Sequence, residues 1–244
     1  MARYFDVASS EYLSVTGLSA PWIGHPLSMA CWFNPDNITA QHILMSVGYN
    51  ADNDYWALTA TGNVAGDPVR AYTTLAGNAV SASTTTGFSA SAWQHACGVW
   101  SGITSRAAYL NGGSKGTETS SRDPGSQTDQ INIGHTVSAS STSYLTGSIA
   151  EAAIWNIALS DAEVALLAKP VSPFMVHPES IVFYLPMIRD EDRDLVNGSV
   201  MTVNGTPLIT VHPRIFYLPR AVIPSLAAGA APGSTARSYG IIFG

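Results

Sequence analysis

The sequence predicts an all-β protein: an antiparallel double-sheet sandwich with one short helix and an extended C-terminal arm. Three observations predict it. Short apolar or alternating runs, separated by Gly, Asn, Asp and Pro, recur from the start of the chain to about residue 170. Asn111-Gly112-Gly113 joins two such runs as a hairpin turn, because these residues tolerate the positive φ of tight hairpins. Late in the chain an alternating run, Ile149 to Trp155, leads through a short link into Ser160-Asp161-Ala162-Glu163. There Ser160 can cap the free amides of a first helical turn, and Glu163 can bond back to the cap residue's own amide.

In chain order, strands are expected at Tyr4–Asp6, Tyr12–Val15, Leu27–Phe33, His42–Val47, Tyr55–Thr59 and Arg70–Thr73. They continue at Gln94–Trp100, Ala107–Leu110, Ile131–Ile133 and Ser148–Trp155. Many short strands with one late helix indicate two antiparallel sheets. The organisation expected is a sandwich over residues 1–169, a strand extension over 170–220 packing on it or on a partner, and an assembly arm over 221–244.

At 244 residues, 46% of them hydrophobic, the chain can bury a full core. Only 11% are charged and just two are lysines, Lys115 and Lys169, so Ser, Thr, Asn, Ala and Gly must cover much of the exterior. The net charge of −6, with no basic run, argues against nucleic acid as a partner. No apolar stretch approaches the ~20 residues that span a bilayer, so no membrane partner is expected. The opening residues show no signal-peptide core, and folding in a cytoplasm is expected. Cys31 and Cys97 lie in apolar strands; buried thiols are favoured, with a disulfide possible if the strands are neighbours.

The order and spacing of several segments resemble the laminin-G-like, concanavalin A-like jelly rolls. Tyr4-Phe5-Asp6 with Glu11-Tyr12-Leu13 is similar to that family's opening strand pair, and Ser28 to Phe33 to its first long core strand. Trp93 to Trp100 followed by Arg106 to Gly112 resembles its central hairpin, and Gly147 to Glu163 its closing segment. Val7 stands where the family often has Gly, and Ala150 where it often has Asp.

Beyond residue 170 the pattern changes. Val176-His-Pro-Glu-Ser-Ile-Val-Phe-Tyr-Leu-Pro186 and Val211-His-Pro-Arg-Ile-Phe-Tyr-Leu-Pro219 are near copies, allowing a two-residue gap. Two similar apolar strands, each ended by Pro, is the favoured reading; a duplicated docking strand is the alternative. Arg189 to Asp194, a mixed charge cluster, is expected in a solvated loop. Ser225 to Ser238 is rich in Ala, Gly, Pro and Ser and has no periodicity, yet Tyr239, Ile241, Ile242 and Phe243 make the end apolar. Those four residues are the candidate assembly contacts.

The sequence offers no catalytic set. Glycoside hydrolysis needs a pair of carboxylates about 5–10 Å apart, and the closing strand offers only Glu151 among Ala150, Ala153 and Trp155. No Gly-x-Ser-x-Gly elbow occurs. His95, between Trp93 and Cys97, reads as a core histidine; His25, His42 and His135 are isolated, and His177 and His212 each precede Pro. No cofactor and no metal ligand is assigned. The resemblance admits a structural calcium near Asp6, which Ala150 disfavours; Asp52-Asn53-Asp54 lacks the spaced Gly and distant Glu of a calcium loop.

Carbohydrate binding is what the resemblance implies most readily. Tyr49, Tyr55, Trp56, Tyr72 and Tyr109 are candidate platforms, with Trp56 beside Asp54 leading and Tyr72 third of the set chosen; packing into the core is the competing reading for each. His212-Pro-Arg-Ile215 resembles segments of tailed-bacteriophage proteins. The preferred expectation is therefore a non-enzymatic, homo-oligomeric virion protein, a capsid decoration protein docking on virion subunits through its arm. A lectin-like module binding glycans, in a tail or fibre, is the alternative.

Overall fold

The computed structural model describes residues 1–17, 24–49, 54–125, 128–138, 143–188 and 191–217. Its strands are β1 (Ala2–Phe5), β2 (Tyr12–Val15), β3 (Leu27–Pro35), β4 (Gln41–Tyr49), β5 (Asp54–Thr61), β6 (Pro68–Leu75), β7 (Asn78–Gly87) and β8 (Gln94–Gly102). They continue with β9 (Ser105–Leu110), β10 (Gly113–Glu118), β11 (Gln130–Ile133), β12 (Gly147–Trp155), β13 (Ile181–Leu185), β14 (Thr202–Asn204) and β15 (Leu208–Thr210). One sheet runs β10-β9-β8-β3-β12-β1-β15 with β13 also on β12; the other runs β14-β2-β11-β4-β5-β6-β7. Every pairing between these strands is antiparallel.

Alternation along the strands sends one set of side chains between the sheets. Phe5, Leu13, Phe33, Met45, Trp56, Trp100, Ile133 and Ile154 join in that inner core, all fully buried. A second apolar layer covers the outer face of the β3–β8–β12 sheet. There Cys97, Val99, Tyr109 and Trp155 pack with Val164 and Leu167 of helix α1 (Asp161–Leu167). Seven residues are too few to hold a helix alone. The expected capping box forms: Ser160 accepts from the Glu163 amide, and Glu163 accepts from the Ser160 amide at 2.7 Å. Trp155 then ties the layer together by donating its indole N–H to the Val176 carbonyl at 2.8 Å.

Strict alternation would place Ile149, Glu151, Ala153 and Trp155 on one face. A bulge prevents it. Glu151 takes φ +56°, and the register with β3 shifts between Ala150 and Ala153. Ile149 therefore joins the inner core, while Ala153 and Trp155 join the outer layer. The same bulge marks where two neighbours meet along β12: β1 pairs with residues 147–149, and β13 with residues 152–155.

Residues 181–210 supply strands to both sheets. The first His-Pro copy forms β13, ended by Pro186 as expected. The second departs from expectation. It is two residues shorter, and its place beside β12 is already filled by β13. It is instead tied by Phe216, whose backbone N–H donates to Pro170 and whose carbonyl accepts from Ser172. β7 was also unexpected from sequence, because its Ser/Thr-rich run sends only Ala82 into the core.

Cys31 and Cys97 are free thiols on adjacent strands, and Cys31 faces the inner core while Cys97 faces the outer layer. Opposite faces of one sheet cannot be bridged, which settles the disulfide question. In the described part of the charge cluster Glu191 and Arg193 are exposed as expected, but two acids are not. Asp192 and Asp194 are 2% and 1% exposed. Asp192 takes a bidentate pair from Arg3, at 3.0 and 2.8 Å, and Asp194 accepts from the amides of Tyr184, Val196 and Asn197. Sequence shows the charges but not the buried donors that answer them.

Candidate functional site

The leading sugar candidate is corrected by the fold. Trp56 is 0% exposed in the inner core, so it offers no ring face to a ligand. Asp54 instead closes a turn, accepting from the Ala76 amide at 2.6 Å. Tyr72 points to the outer face of its sheet and stacks on Tyr55, with ring centroids 6.0 Å apart and planes at 23°. Tyr109 is buried beneath the helical layer. The four candidate arm residues, Tyr239, Ile241, Ile242 and Phe243, lie outside the described residues, as do Asp52 and Asn53.

A different constellation forms at the rim of the sandwich. Three turns and the residues before β12 converge around a cleft of about 350 Å³ lined by Val7, Thr39, Gln41, Asn63, Ser143 and Tyr144, with Ala40, His42 and Thr146. Asn37 Oδ1 builds the first turn by accepting from the amides of Thr39 and Ala40, at 3.0 and 3.1 Å. Gly62 then donates to the Ala40 carbonyl at 2.9 Å. A Cβ at Gly62 would overlap the Ile38 carbonyl, so glycine lets the Asn63 turn approach the Thr39 turn. Asp6 caps the short 3-10 turn that carries Val7, accepting from the Ala8 amide at 2.9 Å.

Tyr144 is fixed from behind. His135 stacks on one face of its ring at 4.2 Å and 29°, and Tyr12 lies 4.8 Å from His135 on the outer face of the sheet. Backbone bonds from Asp36 to the Thr146 carbonyl and from Leu145 to the Gly134 carbonyl hold the segment in place. His42 is buried and committed: Nε2 donates to the Asn37 carbonyl at 2.9 Å, and Nδ1 accepts from the Thr146 amide at 3.4 Å. Burial lowers its pKa and keeps it neutral. The side-chain amides of Gln41 and Asn63 have no partner among the described residues. Aromatic carbon, neutral amides and hydroxyls around one concavity are the chemistry of a polyhydroxylated ligand.

A family model of the concanavalin A-like lectin/glucanases superfamily matches residues 8–165. The chain belongs to that superfamily. Several solved structures have a similar fold. A native heptameric SAP-like pentraxin from Limulus polyphemus is similar with a TM-score of 0.59 and 14% identity, covering 83% of this chain and 89% of its own. A candidate carbohydrate-binding protein from Bacteroides ovatus gives 0.56 and 13%, covering 85% and 61%. Domain 4 of AbnA, an extracellular arabinanase from Geobacillus stearothermophilus in complex with arabinotriose, gives 0.52 and 19%, covering 63% and 70%. No curated protein sequence matches the chain.

Other polar groups of this concanavalin A-like domain are turned inward on one another. A wider cleft of about 500 Å³ beside α1 is lined by Tyr109, Lys115, Glu118 and Asp161 among others. Two of its charges answer each other: Asp161 Oδ1 accepts from Lys115 at 2.8 Å and from Tyr109 at 2.7 Å, and Lys115 sits over the Tyr109 ring. The hydrogen bonds from Lys115 and Tyr109 lower the Asp161 pKa. Glu151, 2% exposed, accepts from the Tyr184 and Tyr217 hydroxyls at 2.6 Å each and lies 3.1 Å from His212 Nε2. His95 is buried on the outer face with its ring edge-on to Trp32 at 5.6 Å, and burial pushes its pKa down to about 3. Among the described residues, no three His, Cys, Asp or Glu come together in a way that could hold a metal ion. No helix among them is long and apolar enough to cross a membrane.

The rim residues were missed in the sequence for a simple reason. Gln41 opens β4, Asn63 lies in the turn after β5 and Tyr144 precedes β12, and nothing in their spacing brings them together. The available signal was weak: Tyr144 is a lone aromatic in a Ser/Thr-rich loop.

Proposed function

We propose that the protein is a non-catalytic carbohydrate-binding module that works through the rim cleft. The observation that carries this is the placement of the unpartnered Gln41 and Asn63 amides beside Tyr144 in one concavity. Membership of the concanavalin A-like lectin/glucanases superfamily supports it. So does the arabinotriose complex of an arabinanase domain with the same fold, as an instance of that sandwich meeting a sugar. The non-catalytic part rests on Glu151, whose two oxygens are engaged by Tyr184 and Tyr217 in a buried setting. A hydrolase would need a second carboxylate across an open cleft from it.

The virion-decoration reading has narrower support. It depends on the arm over 221–244 and on His212-Pro-Arg-Ile215, and His212 already serves the interior by approaching Glu151 and the Pro186 carbonyl. The glycan reading therefore takes precedence, and display on a virion is a setting in which such a module could work.

Oligosaccharides incubated with the whole protein should be retained and recovered uncleaved. Cleavage that disappears in Glu151→Gln would overturn the non-catalytic reading, and retention by no glycan would overturn the binding reading.

A further inference from the structure

We infer that the rim cleft selects neutral glycans, seating a short terminal segment of about one or two sugar residues, and rejects acidic ones. This rests on the carbohydrate-binding reading and narrows its ligand class.

The size argument comes first. At about 350 Å³ the cleft sits near the lower end of the ~300–1,000 Å³ range of small-molecule sites. It lies on the rim, bounded by turns, rather than along a sheet face where a long chain could lie. A chain end fits such a place better than a chain interior.

The charge argument fixes the class. Among the described residues, the lining includes no lysine, arginine, aspartate or glutamate. Its one imidazole, His42, has both nitrogens committed to backbone groups and is held neutral by burial. A sialate, uronate or sulfate entering the cleft would lose water and gain no cation, which is costly. Charges on the neighbouring turns have the wrong sign for it: Asp6 precedes Val7, and Asp36 precedes the Thr39 turn. Asp36, whose amide donates to Thr146, carries a carboxylate that accepts from Tyr4. The net charge of −6 adds repulsion at a distance.

Neutral hydroxyls are answered directly. Each free amide presents a carbonyl acceptor and an NH2 donor, which can engage a pair of sugar hydroxyls. Thr39 adds a further hydroxyl, and Tyr144 adds the apolar ring edge and face left uncovered by His135. Val7, 45% exposed, extends the apolar side. Amides on one wall and carbon on the other would orient a pyranose or furanose ring between them.

The test is a glycan array printed with neutral oligosaccharides beside their sialylated, uronate-bearing and sulfated counterparts. It is probed with the whole protein and with Gln41→Ala and Asn63→Ala. The two amide variants remove groups with no internal partner, so their thermal unfolding should match the parent. Binding confined to neutral glycans, and weakened about tenfold by each amide variant, is the expected result, being the size of one good hydrogen bond lost at a site. Preference for acidic glycans would overturn the neutral class. Glycan binding untouched by Gln41→Ala and Asn63→Ala would move the site elsewhere while leaving the carbohydrate-binding reading intact. Silence across the array would remove that reading itself.

Discussion

Tyr184 and Tyr217 donate to opposite oxygens of the same carboxylate, Glu151, each at 2.6 Å. They are equivalent residues of the two His-Pro copies. The first copy reaches Glu151 from within the sheet, as part of β13; the second reaches it from outside, with Tyr217 still 43% exposed. A duplicated sequence thus closes on one acidic residue rather than forming two matching strands. The bulge makes this possible, because its positive φ takes Glu151 out of the alternation of β12.

The two tyrosines should differ in worth. Tyr184→Phe removes a buried donor and leaves a carboxylate oxygen short of a partner, at a cost of about 1–3 kcal/mol in urea unfolding. Tyr217→Phe removes a half-exposed donor that water can replace, and should cost less than about 1 kcal/mol. Its effect should appear as faster hydrogen exchange or proteolysis confined to residues 211–217. Equal global destabilisation by both would contradict this ordering.

Arg3 and Asp192 form a buried pair linking β1 to the segment after β13, with side chains 9% and 0% exposed. Burial raises the Asp192 pKa even against the opposing pull of Arg3, which marks how costly its desolvation is. Arg3→Met alone strands a buried carboxylate and should destabilise by about 3–5 kcal/mol. Arg3→Met with Asp192→Leu should recover much of that loss. A double variant as unstable as the sum of the singles would show that the pair is not coupled.

Acid should weaken the fold through His95. Burial alone pushes its folded pKa down to about 3, against ~6.5 in an unfolded chain. Between those values the unfolded chain holds a proton that the folded chain refuses. Stability is therefore present above about pH 6.5 and falls as pH drops towards 3, by at most ~1.4 kcal/mol per pH unit. His25 and His42 are lowered too and add in the same direction. Chemical unfolding of His95→Leu between pH 6 and 4 should show the dependence reduced by about one proton. An unchanged slope would mean that His95 charges while folded.

Trp56→Ala should act on folding before anything else. It empties a fully buried site between the sheets, at a cost of about 3–5 kcal/mol. At a temperature where the variant stays folded, glycan binding should survive, since Trp56 is absent from the rim cleft. Binding lost in a folded Trp56→Ala protein would reopen the core-side candidate.

Local signals carried much of the fold. The apolar runs Leu27–Phe33 and Gln94–Trp100, the Asn111-Gly112 turn and the Ser160–Glu163 capping box are each written within a few residues, and each forms. Local signals misled where a partner far along the chain decides the outcome. Trp56 beside Asp54 reads equally well as platform or core until the second sheet covers it. Asp192 and Asp194 read as solvated until Arg3 and the amides of Tyr184, Val196 and Asn197 answer them in the interior.

The sequence by itself determined the antiparallel sandwich and the capped helix, because those depend on periodicity and short-range hydrogen bonding; the order of its segments carried the resemblance to the superfamily. Only the tertiary structure decided which face each aromatic took, where Glu151 was engaged and which turns met at the rim. Gln41, Asn63 and Tyr144 share no sequence period. They become neighbours because sheet pairing brings their turns to one end of the sandwich, with Gly62 admitting the close contact that completes the cleft.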